Sequence, residues 1–273
     1  MPNLAVESLS LSHFRSHHVV QIDCDPRPVA IYGANGAGKT NILEAISLLS
    51  PGRGVRRSTA EEMTRRPEAL GWKVSAVLRA QDRLHEIETW SQNGATRQLR
   101  IDGKAATQVM LGRIARVLWL IPAMDRLWIE GAEGRRRFLD RIALSFDPNH
   151  GEQVIIYEKA MRERNRLLKN QVTDAHWYRA IEGQMAATGV QIRRAREEAL
   201  AYIHAAQDQA ETAFPTAHLT LTNSENIEIS DSHDDFAELL ADYRNRDLAA
   251  GRSLAGPHRD DISGVFAAKN VPA

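Results

Sequence analysis

A single cysteine, Cys24, among 273 residues rules out an intrachain disulfide, so nothing covalent staples the fold, and the usage fits a reducing compartment. Excess charge of either sign is also missing. The 35 Lys and Arg balance 35 Asp and Glu, so the chain as a whole is not drawn to a polyanion and any nucleic-acid surface must be local. No stretch approaches the ~18 uncharged apolar residues of a membrane span, and residues 1–7 lack the basic region and apolar core of a secretory signal. These absences lead to the expectation of a cytoplasmic protein that contacts no membrane. The 10 histidines are scattered, with no H-x-x-x-H spacing and no cysteine partner, which leaves no zinc pattern, and no Ser/His/Asp arrangement stands out. What remains is an ordinary globular composition, 43% hydrophobic, long enough for one large or two moderate domains.

Against this background one motif stands out. Gly33-Ala34-Asn35-Gly36-Ala37-Gly38-Lys39-Thr40 fits G-x-x-x-x-G-K-[ST] at every fixed position. A pair of β- and γ-phosphates must be taken out of water with its charge matched, and such a loop matches it with backbone N–H groups, an ammonium and a helix N-terminus. The glycines let the chain approach phosphate oxygens with no Cβ in the way. All eight residues, 33 to 40, are therefore assigned to ATP, and the Thr40 hydroxyl to Mg²⁺. The context agrees: Pro28-Val29-Ala30-Ile31-Tyr32 reads as a short buried strand, and Ile42, Leu43, Ile46 and Leu49 share one helical stripe.

Around this centre the periodicity predicts two strands before the loop, from Leu4-Val6-Leu9-Leu11 and Val19-Val20-Gln21-Ile22. A glycine-rich basic loop follows the P-loop helix at 50–57. Residues 72–79, 85–90 and 97–101 alternate polar with apolar, as antiparallel strands with one wet face do, and Asp102-Gly103-Lys104 reads as a turn. Beyond the run 116–121 and Pro122 the period becomes helical: Met185, Ile192, Ala199 and Ala206 fall seven apart in a stretch ending at Phe214-Pro215. Strand alternation returns at Leu219-Thr220-Leu221 and Ile227-Glu228-Ile229, followed by an acidic stretch at 231–238. The division expected is a first head segment at 1–125, an inserted helical arm at 126–214, and a return to the head at 215–273.

Several arginines have two readings. Arg15, beyond the first strand, either approaches nucleotide phosphates or is a solvated strand end. Arg53, Arg56 and Arg57 either meet a DNA backbone or pair with Glu61 and Glu62. Arg135-Arg136-Arg137 either bind DNA or pair with Glu130, Glu133 and Asp140, the latter preferred. The arginines at 162–166 with Lys169, and those at 193, 194 and 196, read as solvated helix faces. The polar run His258-Arg259-Asp260-Asp261 reads as an ion-pair network rather than a metal site.

The chain resembles the RecF family, bacterial recombination-repair ATPases with an ABC-type head related to the SMC proteins. The resemblance rests on Leu11-Ser12-His13-Phe14-Arg15, the P-loop extended through Asn41-Ile42-Leu43-Glu44-Ala45-Ile46, Gly52-Arg53 with Arg56, Arg135 to Asp140, Arg164 to Lys169, and Gly256-Pro257-His258-Arg259-Asp260-Asp261. It departs at Ala123, where the family often has an acid after the proline, and at Ala132-Glu133, where it often has a proline. The resemblance implies an α/β P-loop NTPase of ABC-ATPase head type, a mixed sheet (lobe I) with an inserted helical arm (lobe II). It also implies an ATP-dependent homodimer that clamps single-stranded, gapped or junction DNA, acts with RecO and RecR to load recombinase, and supports the SOS response. A P-loop kinase acting on a small substrate is the alternative. No apolar strand ending in an acidic pair and no Ser-x-Gly-Gln loop is found, elements that follow the Gly-Pro-His-Arg-Asp-Asp segment in the family. The chain is therefore expected to be C-terminally truncated and to hydrolyse ATP poorly, and no catalytic residue is assigned.

Overall fold

The computed structural model describes residues 4–272 except 67, 81, 93, 130, 224–226, 228–229 and 270. The chain forms two compact units, up to Trp119 and from Leu120 onward.

In the first unit, β1 (Leu4–Phe14) and β2 (His17–Asp23) form a hairpin. The P-loop leads into α1 (Lys39–Ser47), and a short α2 (Ala60–Met63) carries a capping box in which Thr59 and Glu62 satisfy each other's backbone N–H. The strands β3 (Trp72–Ala80), β4 (Arg83–Ser91), β5 (Gln98–Ile101) and β6 (Lys104–Ala105) follow, then α3 (Gln108–Ile114). The sheet runs β2-β1-β3-β4-β5-β6, and every pairing in it is antiparallel. Its one-sided burial is what the alternation predicted: Trp72, Val74, Ala76 and Leu78 of β3 all face the core. There they join Leu9, Leu11, Phe14 and, from α1 and its end, Ala45, Leu48 and Leu49.

Two expectations fail here. Residues 28–32 are not a strand: no described strand pairs with them, and Val29 and Tyr32 are exposed. An apolar run encodes a wish to be buried, but a strand also needs a neighbour for its N–H and C=O groups, and local sequence does not specify that neighbour. The parallel member of the expected mixed sheet is thus not hydrogen-bonded among the described residues. On α1, Leu43 lies exposed while Glu44 is buried, because two arginines neutralise Glu44.

In the second unit, Pro122–Arg126 is a single 3-10 turn. It is followed by α4 (Ala132–Phe146), α5 (His150–Lys169) and α6 (Ala175–Gln209), whose 35 residues span about 50 Å at 1.5 Å per residue. Asp174 caps α6 by accepting from His176 N. The strand β7 (Ala217–Asn223), α7 (His233–Asp242), α8 (Arg244–Ala250), β8 (Asp260–Phe266) and β9 (Val271–Pro272) complete the unit. The acidic stretch is thus largely the helix α7; the strand expected at 227–229 falls mostly outside the described residues. Met185, Ile192 and Ala199 lie on the buried stripe of α6, while Ala206 is exposed.

The segment assigned from sequence to a returning head builds its own sheet, β7-β8-β9, and packs Ile262, Leu219 and Leu221 against Leu139, Ala143, Ala195 and Ala199 of α4 and α6. Alternation marks a strand with one buried face but does not say which layer covers that face.

Candidate functional site

Residues 33–38 form an exposed loop whose three glycines all have positive φ, at 150°, 83° and 89° for Gly33, Gly36 and Gly38. Gly38 immediately precedes α1, and its carbonyl accepts from Asn41 N at 2.9 Å and Ile42 N at 3.2 Å, which starts the helix. This glycine is needed twice over. Besides its φ, a Cβ at 38 would stand 2.5 Å from His17 Nε2 and 2.8 Å from Ser16 Oγ. The His17 ring donates from Nε2 to Gly38 O at 3.1 Å, since a carbonyl can only accept. The β1–β2 turn therefore closes directly onto the junction of loop and helix.

The Lys39 ammonium donates to Gly33 O and Ala34 O, both at 2.8 Å, and among the described residues no carboxylate pairs with it. Its charge is hydrogen-bonded but not neutralised. Thr40 is exposed in the first turn of α1, beside N–H groups that have no intrahelical acceptor, and no acidic side chain lies in that turn. The loop therefore presents a cation, a helix N-terminus and two glycines open to solvent, Gly33 and Gly36, a donor set that fits an anion and, through the Thr40 hydroxyl, a metal-bound phosphate.

The opposite side of α1 is clamped. Glu44, 1% exposed, receives Arg15 at 2.6 and 2.9 Å and Arg56 at 2.9 Å; Arg56 also donates to Asn41 Oδ1 at 2.9 Å, and Asn41 Nδ2 donates to Ser16 Oγ at 2.8 Å. Arg15 is not a solvated strand end: it is committed to Glu44. Arg56 pairs with Glu44 rather than with Glu61 or Glu62. Arg53 and Arg57 are exposed, and no ion pair to either is present among the described residues. The sequence left the role of Glu44 unread, although a charge on the inner side of an otherwise apolar helix was the available signal.

In the second unit Arg135 pairs with Asp261 at 2.6 Å, Arg136 donates to Asp260 O at 2.8 Å, and Arg137 pairs with Glu133. Asp140 instead takes Arg196 at 2.8 Å and His150 at 2.9 Å. Arg164, Arg193 and Arg196 correct the expectation of solvated faces. Arg164 is fully buried between Asp247 at 2.5 Å and Glu182 at 3.0 Å, and Arg196 and Arg193 reach the buried Asp260 at 3.0 and 3.1 Å. Arg162, Arg166 and Arg194 do lie on solvated faces. His258 donates from Nε2 to Ser253 O and accepts from the Tyr157 hydroxyl, and burial pulls it down to about 4. His258, Asp260 and Asp261 are thus held in a polar network centred on the buried Asp260, whereas the buried Arg259 Nε makes no hydrogen bond among the described residues, and no group of metal-ligating side chains occurs among them.

A phosphate loop entering a helix behind an antiparallel sheet, followed by a helical unit, defines a P-loop NTPase of the ABC-ATPase head type. The AAA domain family matches residues 8–245. The DNA replication and repair protein RecF of Mesorhizobium japonicum is 43% identical over 98% of this chain and 74% of its own length, and that of Brucella suis is 42% identical over 99% and 73%. A solved structure of the recombination mediator protein RecF with ATP in the RecFOR pathway superposes with a TM-score of 0.84 at 22% identity, covering 97% of this chain and 74% of that one. The chain belongs to the RecF family.

Proposed function

We propose that this chain is an ATP-binding DNA replication and repair protein whose nucleotide is held by residues 33 to 40. The observation that carries the reading is Lys39: a cation at the first position of α1 with loop carbonyls as partners and no carboxylate paired with it among the described residues. Its relatives are named DNA replication and repair proteins, and a solved relative is described with ATP. The backbone N–H groups of 33–38 and the Lys39 ammonium hold the β- and γ-phosphates. The Thr40 hydroxyl holds Mg²⁺, which when bound screens charge between those phosphates.

The finer reading is an ATP-dependent dimer that clamps single-stranded, gapped or junction DNA, works with RecR and RecO in loading recombinase, and serves the SOS response in the cytoplasm. No helix among the described residues is long and apolar enough to cross a membrane. Arg53, Arg56 and Arg57 are its first candidates for DNA contact, with Arg56 partly engaged by Glu44. Membership in the RecF family does not favour the kinase alternative.

The test of the nucleotide site is calorimetric titration of ATP with Mg²⁺ into the protein and its Lys39→Met and Lys39→Arg variants. Removing a charge-assisted hydrogen bond of about 1.5–3 kcal/mol weakens binding roughly 10- to 100-fold in the Met variant. The Arg variant keeps the charge but not the compact point donor, and falls between. Undiminished affinity in Lys39→Met sinks the assignment.

A further inference from the structure

Three consecutive residues at the β1–β2 turn grip α1 one helical turn apart. Arg15 reaches Glu44 at 2.6 and 2.9 Å, Ser16 Oγ accepts from Asn41 Nδ2 at 2.8 Å, and His17 donates from Nε2 to Gly38 O at 3.1 Å. Positions 44, 41 and 38 lie three apart, on one face of the helix. The turn therefore runs back along α1 toward its N-terminus, and its last rung falls on the final glycine of the phosphate loop.

That rung fixes a peptide plane. Gly38 O accepts from His17 and from Asn41 N and Ile42 N, and in a trans peptide the following N–H points the opposite way. The Lys39 N–H is thereby turned out of the helix end, among the donors that have no intrahelical acceptor and that an anion can use. The ring also rests directly on Gly38, where a Cβ would stand 2.5 Å from Nε2 and 2.6 Å from Cε1.

Little else holds the loop. Residues 33–37 are exposed, Gly33 and Gly36 have positive φ, and a Cβ at either meets nothing within 4 Å. A segment of this kind has many backbone conformations open to it, and a ligand that needs one of them loses affinity to the ordering. The Lys39 ammonium does brace the loop through Gly33 O and Ala34 O, but it is the very group assigned to the phosphates. The His17 contact stays in place whether or not that ammonium turns to a ligand.

We infer that His17 is a positioning residue for the phosphate loop: it touches no phosphate, and it raises ATP affinity by holding the Gly38–Lys39 peptide in its binding orientation in advance. The inference rests on the assignment of residues 33 to 40 to ATP made above. What the position requires is one N–H donor at the reach of Nε2, not the charge of the ring.

The experiment is calorimetric titration of ATP with Mg²⁺ into the full chain and its His17→Leu, His17→Gln and His17→Asn variants, beside Lys39→Met, with urea unfolding of each. Leu removes the donor at similar bulk, Gln carries an amide N–H to about the reach of Nε2, and Asn carries the same amide one methylene short. Affinity should fall roughly 3- to 10-fold in His17→Leu and His17→Asn, the worth of one neutral hydrogen bond, and return to within about 2-fold of the parent in His17→Gln. His17→Asn carries the same test if His17→Leu does not fold. A merely structural histidine would lower the urea midpoint and leave the affinity of the folded protein alone. Parent-like affinity in His17→Leu and His17→Asn, with affinity lost in Lys39→Met, thus overturns the inference and leaves the nucleotide site standing. Equal weakening in all three His17 variants also overturns it, because the donor would then not be what matters. Undiminished affinity in Lys39→Met, or no ATP binding by the parent, overturns the nucleotide site and the inference with it.

Discussion

Arg15 Nη2 lies 2.6 Å from Glu44 Oε1, across 29 positions of sequence, and ties the β1–β2 turn to the helix that follows the phosphate loop. The carboxylate is buried while the two arginines that reach it, Arg15 and Arg56, remain partly exposed. Glu44→Ala should therefore destabilise the protein by about 2 kcal/mol, less than the 3–5 kcal/mol expected when both partners are enclosed, because the freed guanidinium groups can turn to water. Urea unfolding measures this. A loss below 0.5 kcal/mol, roughly the scale of a surface substitution, would mean the clamp is decorative.

Gly36 and Gly38 offer a controlled comparison. Both have positive φ, at 83° and 89°, but a Cβ at 36 meets nothing within 4 Å whereas one at 38 meets His17 Nε2 at 2.5 Å. Each Ala substitution carries the left-handed cost of about 1–2 kcal/mol, and Gly38→Ala should add an overpacking cost of about 1–3 kcal/mol. His17→Ala should recover part of that excess in the double variant and none of the loss at 36. Equal destabilisation by the two alanines contradicts the close approach of His17.

Arg164 lies wholly inside the second unit with Asp247, Glu182, Ser253 Oγ and Leu240 O as partners. Arg164→Met leaves Asp247 buried without its cation and should cost about 3–5 kcal/mol. The neighbouring Arg162→Met, on the exposed face of the same helix, should cost less than 0.5 kcal/mol. Thermal or urea melts decide it, and similar losses for the two would refute the burial argument.

Acid should loosen the second unit. His258 is held at about 4, below its ordinary value of 6.5, because burial disfavours the charged ring. A depressed value means that its contribution is complete above pH 6.5 and is lost as pH falls toward 4, when the unfolded chain takes up the proton first. At about 1.4 kcal/mol per pKa unit, the window is worth about 3 kcal/mol. Asp140 continues the trend: burial pushes it up, but Arg196 and His150 override this and hold it at about 2, so its contribution declines below pH 3.8. His258→Gln should flatten the stability profile between pH 6.5 and 4. A parent protein equally stable at both ends of that range would be incompatible with a neutral buried ring.

The sequence by itself determined the phosphate loop, because eight contiguous residues carry both its backbone angles and its charge. It also determined the antiparallel strands of 72–101 and the long helix through Met185, Ile192 and Ala199, where a periodic pattern maps onto one buried face. What it could not determine were partners distant along the chain. Leu43 and Glu44 exchanged their expected places because Arg15 and Arg56 meet only in the fold, and Arg164 and Arg196 looked like surface cations until Asp247, Asp140 and Asp260 were brought around them. Residues 28–32 show the same limit from the other side, an apolar run with no described strand beside it. Local pattern fixes which face of an element seeks burial, whereas the neutralisation of a buried charge and the pairing of a strand edge depend on groups that only tertiary structure brings within reach.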